Sequence, residues 1–340
     1  MNCLARIPRL YYPILSLVSK RYRSLLTSLE LYDIRTLLGR TENCLYVSLR
    51  LSSESKPCWF TLCRKPTPIP NPSRNPNSRW FTSCFRPYKI LKNRTRKEEN
   101  KSSEKFMVSV PIRNDCPQFG LTSTLGTTIG SNIYMIGGHI DGAVSSRVFI
   151  LDCRSHTWHE APSMQMSRKC PLVSVLDGKI YVVDRKNVAD PSNLIEFFDP
   201  KIQIWEHVPI PSEELRGSYI TRSLVLGEKL YLFGYKSTVY KPKEQIWDVV
   251  GLEKCLRWVR NSSSCVIDNI GGMVDCGGKI AVLWEKKVRA IGSNKKMIWC
   301  GEIALERHNT QEICGKIEWC NVVLTVPKSC SLLQFNAVTL

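Results

Sequence analysis

Four copies of one pattern, strand, tight turn, strand, recur at a nearly constant interval and constrain this chain more than any other feature. They read LGTTIGSNIYMIGG, LVSVLDGKIYVVDR, RSLVLGEKLYLFGY and MVDCGGKIAVLWE. The turns are Gly130-Ser131, Asp177-Gly178, Gly227-Glu228 and Gly277-Gly278, and their starts lie 47, 50 and 50 residues apart. Two-residue hairpin turns need positive φ, which Asp-Gly and Gly-X supply at low steric cost. A fixed period of this length marks a repeat architecture whose units stack on one another.

The first two copies continue alike. RVFILDCRSHTWHEAPSM follows the first hairpin and LIEFFDPKIQIWEHVPIP the second. Each holds a strand, a polar turn from Asp152 or Asp199, and a strand opening on Trp158 or Trp205, both 28 residues past their hairpin turn. One unit is therefore four strands, too small to cover both faces by itself, so units must pack face to face. In the third and fourth units the 28-residue offset is lost, leaving Trp247, Trp258 and Trp299 as alternatives.

Four strands, a pair of glycines ending the second, and a tryptophan in the fourth resemble kelch repeats. The resemblance implies a mainly β fold, a kelch-type β-propeller of five or six blades, some of them degenerate. It implies that Gly137 and Gly138 stop their strand where side chains would crowd neighbouring backbone, and that Trp158 and Trp205 pack between blades. Gly178, Gly227, Gly234 and Gly277 complete the set of structural positions. The glycine pair is replaced by Asp184-Arg185, Gly234-Tyr235 and Trp284-Glu285 in the later units.

Further strand-like pieces flank the repeats: CLYVSLRL and CWFTLC before them, KIEWCNVVLTV and SLLQFNAVTL after. A ring leaves no open strand edge, so strands from both ends of the domain are predicted to complete one shared blade. Between the early strands and the repeats, residues 64–105 are rich in Pro, Asn, Ser and basic side chains, which predicts a disordered insertion. The charge follows this division: +5 over residues 1–50, +9 over 51–115 and only +4 over 116–340. The excess sits on the N-terminal piece and the insertion, so no nucleic-acid face is expected on the β domain.

PILSLVSKRYRSLLTS places Ile14, Leu15, Val18, Tyr22, Leu25 and Leu26 on one helical face, with Pro13 suited to a first turn. SLELYDIRTLLG follows as a second amphipathic helix stopped by Gly39. Basic residues without acidic ones before Glu30 overlap in composition with mitochondrial transit peptides. The helical reading fits better: ARIPR, LSLVSKRYRSLL and the trailing ELY resemble an F-box, in the form joined to kelch repeats in a large plant family. An F-box of that kind opens on a leucine-proline pair and an acidic residue upstream of Asn2, whereas this chain starts inside what would be the first helix. The expected organisation is a partial, helical F-box over 1–39, first propeller strands over 40–63, the insertion over 64–105 and the kelch propeller over 106–340.

The resemblance implies a substrate-recognition subunit of an SCF-type cullin-RING ubiquitin ligase, cytoplasmic or nuclear. Partners would be a Skp-type adaptor with its cullin complex, the adaptor grip weakened if the F-box is truly shortened, and a target protein. The alternative is an interaction scaffold outside ubiquitin transfer. Ile7, Pro8, Leu15, Val18 and Tyr22 are the expected adaptor face, with internal packing an equal reading for Ile7, Val18 and Tyr22. The expected loops after the second strands, HIDGAVSSR, KNVADPSN, KSTVYKPKE and KKVRAIGSN, differ in every unit, as a recognition face would. His139, Asp141, Arg185, Lys186, Lys236 and Lys286 are its candidates, and a basic cluster there would suit an acidic partner. No enzyme, cofactor or metal is expected: phosphate loops, GxSxG and HExxH are missing from the sequence. The 15 cysteines form no CxxC pair and read as free thiols. No stretch is long and apolar enough to span a membrane as a helix.

Overall fold

A computed structural model describes residues 1–52, 56–64, 105–112, 125–185, 194–210, 219–234, 237–250, 270–288, 294–307 and 313–340. The expected insertion, apart from its terminal residues Arg64 and Lys105, lies outside the described residues, as do Lys186, Lys236 and Trp258. Short helices come first: α1 (Asn2–Ala5), a 3-10 turn (Arg9–Tyr11), α2 (Tyr12–Leu15), α3 (Lys20–Leu25) and α4 (Leu29–Leu37). The other elements among the described residues are strands, in five four-stranded sheets and one two-stranded ribbon.

Strands β1 (Asn43–Arg50), β2 (Cys58–Arg64) and β3 (Lys105–Ser109) belong to the first sheet. The second is built from β4 (Leu125–Ile129), β5 (Asn132–Ile136), β8 (Val148–Asp152) and β9 (Thr157–Ala161). A small ribbon, β6 (His139–Ile140) with β7 (Ala143–Val144), interrupts it. Then come β10 (Leu172–Leu176), β11 (Lys179–Val183), β12 (Ile195–Asp199) and β13 (Ile204–His207). The fourth sheet comprises β14 (Ile220–Leu226), β15 (Lys229–Gly234), β16 (Ser237–Lys241) and β17 (Ile246–Val250). The fifth comprises β18 (Ile270–Asp275), β19 (Lys279–Lys287), β20 (Lys295–Arg307) and β21 (Ile313–Pro327). Last, β22 (Ser331–Thr339) returns to pair antiparallel with β1, from Asn43 against Thr339 to Arg50 against Ser331. The first sheet thus reads β22-β1-β2-β3, the shared sheet expected from the two ends of the domain.

The chain divides into two compact units: Met1–Ile112 with Cys153–His156 and Asn269–Leu340, and Arg113–Asp152 with Thr157–Asp268. In the second unit all three hairpin turns fall where the sequence places them. Asp177 and Gly178 take φ of 52° and 74°, the left-handed pair that suits the strand twist. Between its sheets sits an apolar core: Tyr134, Ile136, Val148 and Met164 on one side, Ile180, Val182, Phe198 and Trp205 on the other. Trp205 lies 5.0 Å from the Phe198 ring and donates Nε1–H to the Pro162 carbonyl at 2.8 Å.

Trp247 repeats that arrangement one sheet further on. It lies 4.8 Å from Tyr240 and donates Nε1–H to the Pro209 carbonyl at 2.9 Å. It is therefore the third unit's tryptophan, and its shorter offset has a simple cause. Only residues 235–236 separate β15 from β16, whereas 184–194 separate β11 from β12. Trp299 proves to lie in a third strand, β20, stacked on Trp284, while Trp319 occupies the fourth strand. Trp319 packs on the core that joins the first and fifth sheets of the first unit, through Leu45, Val47, Leu283 and Ile298.

Gly137 and Gly138 end β5 at φ of 54° and 77°. A Cβ on Gly137 would lie 2.7 Å from Met164 Cε and 3.2 Å from the carbonyl oxygens of Arg168 and Ser145. Gly138 N–H donates to the Arg168 carbonyl at 2.8 Å. The strand stops there because the connection leading to β10 lies against its end and leaves no room for side chains. Arg168 itself is buried, held by Glu196 Oε1 at 2.8 Å from NH2 and 3.1 Å from Nε, with 1% and 0% of the two side chains exposed. Glu196 Oε2 takes the Gln165 N–H at 2.9 Å.

Candidate interaction surfaces

The N-terminal helices depart from the expected single amphipathic segment. α2 ends at Leu15, and Ser19, with φ −162°, restarts the chain as the N-cap of α3, its hydroxyl accepting from the Tyr22 N–H at 3.1 Å. Pro13 does fall in the first turn of α2, and Gly39 follows α4 at φ 60°. Splitting the helix scatters the expected face. Leu26 is buried, Ile14, Leu15 and Leu25 are half-buried, and Val18 and Tyr22 point to solvent. Leu17, Leu29, Leu37 and Leu38 are exposed with them, Val18 at 64% and Leu37 at 86%. So many exposed apolar side chains within one short segment leave it with apolar surface that the rest of the described chain does not cover. Pro8 caps the 3-10 turn and is exposed, and Ile7 is half-buried, its carbonyl held by Arg35 NH1 at 2.8 Å.

Beneath these helices, within the first unit, lies a buried polar network that periodicity gives no sign of. Arg9 is 8% exposed. Its NH1 donates to the Tyr32 hydroxyl, and its NH2 to the Tyr46 hydroxyl at 2.7 Å and the Cys153 carbonyl at 3.0 Å, with His156 Nε2 at 3.4 Å. Its backbone N–H meets both oxygens of Glu42 at 3.1 Å. Glu42 also takes Arg35 NH2, whose NH1 holds the carbonyls of Ala5 and Ile7 and the Tyr12 hydroxyl. Burial opposes the Arg9 charge, but the negative charge that Tyr32 and Tyr46 take on when ionised, with the hydrogen bond to Tyr46, outweighs it, and its pKa lies above the ordinary value. Burial pushes the Tyr32 hydroxyl up to about 12 against the pull of Arg9, and Tyr46 rises for the same reason. Both phenols are therefore neutral hydrogen-bonding groups at physiological pH. The only trace of this cluster in the sequence is the density of arginine and tyrosine in short helices.

On the side of the expected target face, His139 is half-buried in β6 and Asp141 sits exposed at the tip of the β6–β7 ribbon, with φ 52°. Arg185 is tied to the carbonyls of Cys170, 3.2 Å, and Thr221, 3.5 Å. Lys286 lies in strand β19, not in a loop, its Nζ 5.6 Å from the Trp299 ring centroid. The stretch KSTVYKPKE, expected as a loop, is mostly strand β16. Lys241 and Lys243 consequently lie at the opposite end of their sheet from Ser237, beside the turn at Gly227, where Lys243 pairs with Glu228 at 2.8 Å. Lys241 pairs with Asp248 and Arg147 with Glu160. Salt bridges and strand placement thus break up the expected basic cluster. Among the described residues no group of three His, Cys, Asp or Glu side chains could hold a metal, and no helix is long and apolar enough to cross a membrane.

Short helices feeding four-stranded antiparallel sheets, with a tryptophan wedged between neighbours, define a kelch-repeat protein carrying an F-box. Comparison with known families agrees: residues 1–34 match the F-box domain and residues 80–274 the FKB95, Kelch-repeats domain. A putative F-box/kelch-repeat protein of Arabidopsis thaliana is 62% identical, over 100% of this chain and 95% of its own. A second is 54% identical over 100% and 96%, and an F-box/kelch-repeat protein of the same plant is 39% identical over 97% and 89%. The chain belongs to the F-box/kelch-repeat family.

Proposed function

We propose that this chain is the substrate-recognition subunit of an SCF-type cullin-RING ubiquitin ligase. Its F-box helices hold a Skp-type adaptor and its kelch sheets hold a target protein. The observation that carries the reading is the apolar surface of the F-box segment, Leu17, Val18, Tyr22, Leu29, Leu37 and Leu38, exposed beside a kelch domain. Such a subunit does no covalent chemistry. It raises the effective concentration of a target lysine near the ubiquitin-charged enzyme.

Val18 and Tyr22 fit this role as contacts; Ile7, Pro8 and Leu15 fit it as the support beneath them. The target face is assigned to the sheet ends carrying the β6–β7 ribbon, with Asp141 and His139. The test is co-purification of the full chain with a Skp-type adaptor. Val18→Asp and Leu37→Asp place charges on exposed positions, so they should abolish adaptor capture and leave the melting temperature unchanged. Equal capture by wild type and both variants would remove the adaptor role. Capture by neither would leave a target-binding scaffold.

A further inference from the structure

The buried network under the helices does more than a simple anchor requires. We propose that Arg9 is a positioning residue that locks the F-box helices to the first β-sheet, so that the two move as one rigid body. This rests on the ligase reading above: the clamp would hold the adaptor-bound helices in one orientation on the first β-sheet rather than let them swing about a flexible joint.

Three features carry it. First, one side chain ties together elements far apart in sequence. From the 3-10 turn, the Arg9 guanidinium reaches Tyr32 in α4, Tyr46 in β1 and the Cys153–His156 turn, all within the first unit. Second, the joint between α4 and β1 is not a free linker. Arg35 NH2 holds the Arg40 carbonyl at 2.6 Å, and Glu42 receives both Arg35 and the Arg9 N–H. Glu42 also exchanges backbone hydrogen bonds with Leu340, at 2.7 and 2.9 Å, which extends the β1–β22 ladder into the joint. Third, the chemistry is directional. The guanidinium's acceptors are two phenols and a carbonyl, all neutral, with the His156 imidazole nitrogen beside them. Tilting the helices would pull these apart and leave a cation buried with poor compensation, so the arrangement resists small rotations.

Apolar packing alone would hold the helices as firmly in free energy, since buried ionic groups often contribute little net stability. What hydrogen bonds to a planar, five-donor group add is orientation. Ubiquitin transfer needs orientation, because a misplaced acceptor lysine loses the advantage of proximity.

The experiment uses the full chain with spin labels introduced through unnatural amino acids at Asp33 and Lys316, both exposed and both in the first unit. Pulsed dipolar spectroscopy should give a narrow distance distribution for wild type. Arg9→Met, with a similar stem and no donors, should lose that narrowness while adaptor co-purification stays close to wild type, with a lower melting temperature from the phenols and carbonyl it leaves without a donor. In a reconstituted ligase, self-ubiquitination should then spread from a restricted set of lysines to many. Tyr46→Phe removes a single hydroxyl and should broaden the distribution less; it serves also if Arg9→Met does not fold. Distributions equally narrow in wild type and variants, or already broad in wild type, would overturn the clamp. Failure of every form to bind adaptor would instead remove the ligase reading, and the distance measurement would still decide the clamp.

Discussion

Where sheets meet in the second unit, the contact is an aromatic wedge repeated from one junction to the next; where helices meet sheet in the first unit, it is a cluster of arginines and phenols. Trp205 with Phe198 and Pro162, and Trp247 with Tyr240 and Pro209, are the same device with nearly the same dimensions. Arg9 and Arg35 have no counterpart in that series. Apolar wedges are non-directional and tolerate changes in loop length, which is how the third unit keeps its tryptophan although its offset shrinks. A hydrogen-bonded clamp tolerates little displacement and fixes one orientation. A β domain grown by adding units can use the first kind of joint everywhere. A joint between unlike parts needs the second.

The most severe test of the β part is removal of residues 331–340. It strips β22 from β1 along eight registered pairs and exposes β1 as an open edge. Expression should yield insoluble protein or one without a cooperative unfolding transition, and a soluble truncation with the wild-type melting temperature would refute closure by the last strand.

Next in size is the ionic group that the second unit does contain. Glu196→Gln removes the buried counter-charge of Arg168 and leaves it only the part-exposed Asp184 carboxylate, 3.6 Å from NH1, so it should cost about 3 kcal/mol in urea unfolding, whereas replacing both Arg168 and Glu196 by apolar residues should cost much less. Equal losses would show that the pair acts through packing and would narrow the contrast with the Arg9 network.

Glycine substitutions sharpen the contrast at smaller scale. Gly137 and Gly130 both have positive φ, but only a Cβ at Gly137 meets other atoms. Gly130→Ala should cost about 1–2 kcal/mol for the left-handed backbone alone. Gly137→Ala should add a further ~1–3 kcal/mol of overpacking against Met164 and the Arg168 carbonyl.

The smallest effect is on pH. Burial pushes the thiols of Cys63 and Cys300 up to about 12 from an ordinary 9.0. Because the folded state favours the neutral thiol, their contribution to stability is complete below pH 9 and is lost as pH rises toward 12. A melting temperature that falls through this window, less steeply in the Cys63→Ala/Cys300→Ala protein, is the expected result. Alkylation at near-neutral pH should reach exposed Cys3 well before either buried thiol.

Much of the β architecture is legible because turns and strands are local. Positive φ at Asp177-Gly178 and Gly227-Glu228 is demanded by two-residue hairpins, so the residues announce the conformation. Pairing of the last strand with the first follows from edge avoidance. The fourth unit's tryptophan was not legible, since β20 and β21 run long and carry Trp319 away from the period. The break between α2 and α3 was missed because Ser19 reads equally well inside a helix or capping one. Among the interaction candidates, Val18 and Tyr22 are exposed while Leu25 and Leu26 of the same expected face are covered in part or in full, a division the helical period alone does not give. The engagement of Arg185 and the strand placement of Lys286 do not follow from charge alone.

By itself the sequence determined the repeating unit, its turns, the helical start and the family these define, since all of them rest on neighbours in the chain and on spacing. Only the tertiary structure decided which buried charges matter. Arg9, Arg35, Arg168 and Glu196 look like surface residues when read in order, and become structural because distant segments surround them. Hydrogen bonds across such distances depend on where the backbone has been folded, and nothing local in the chain encodes them.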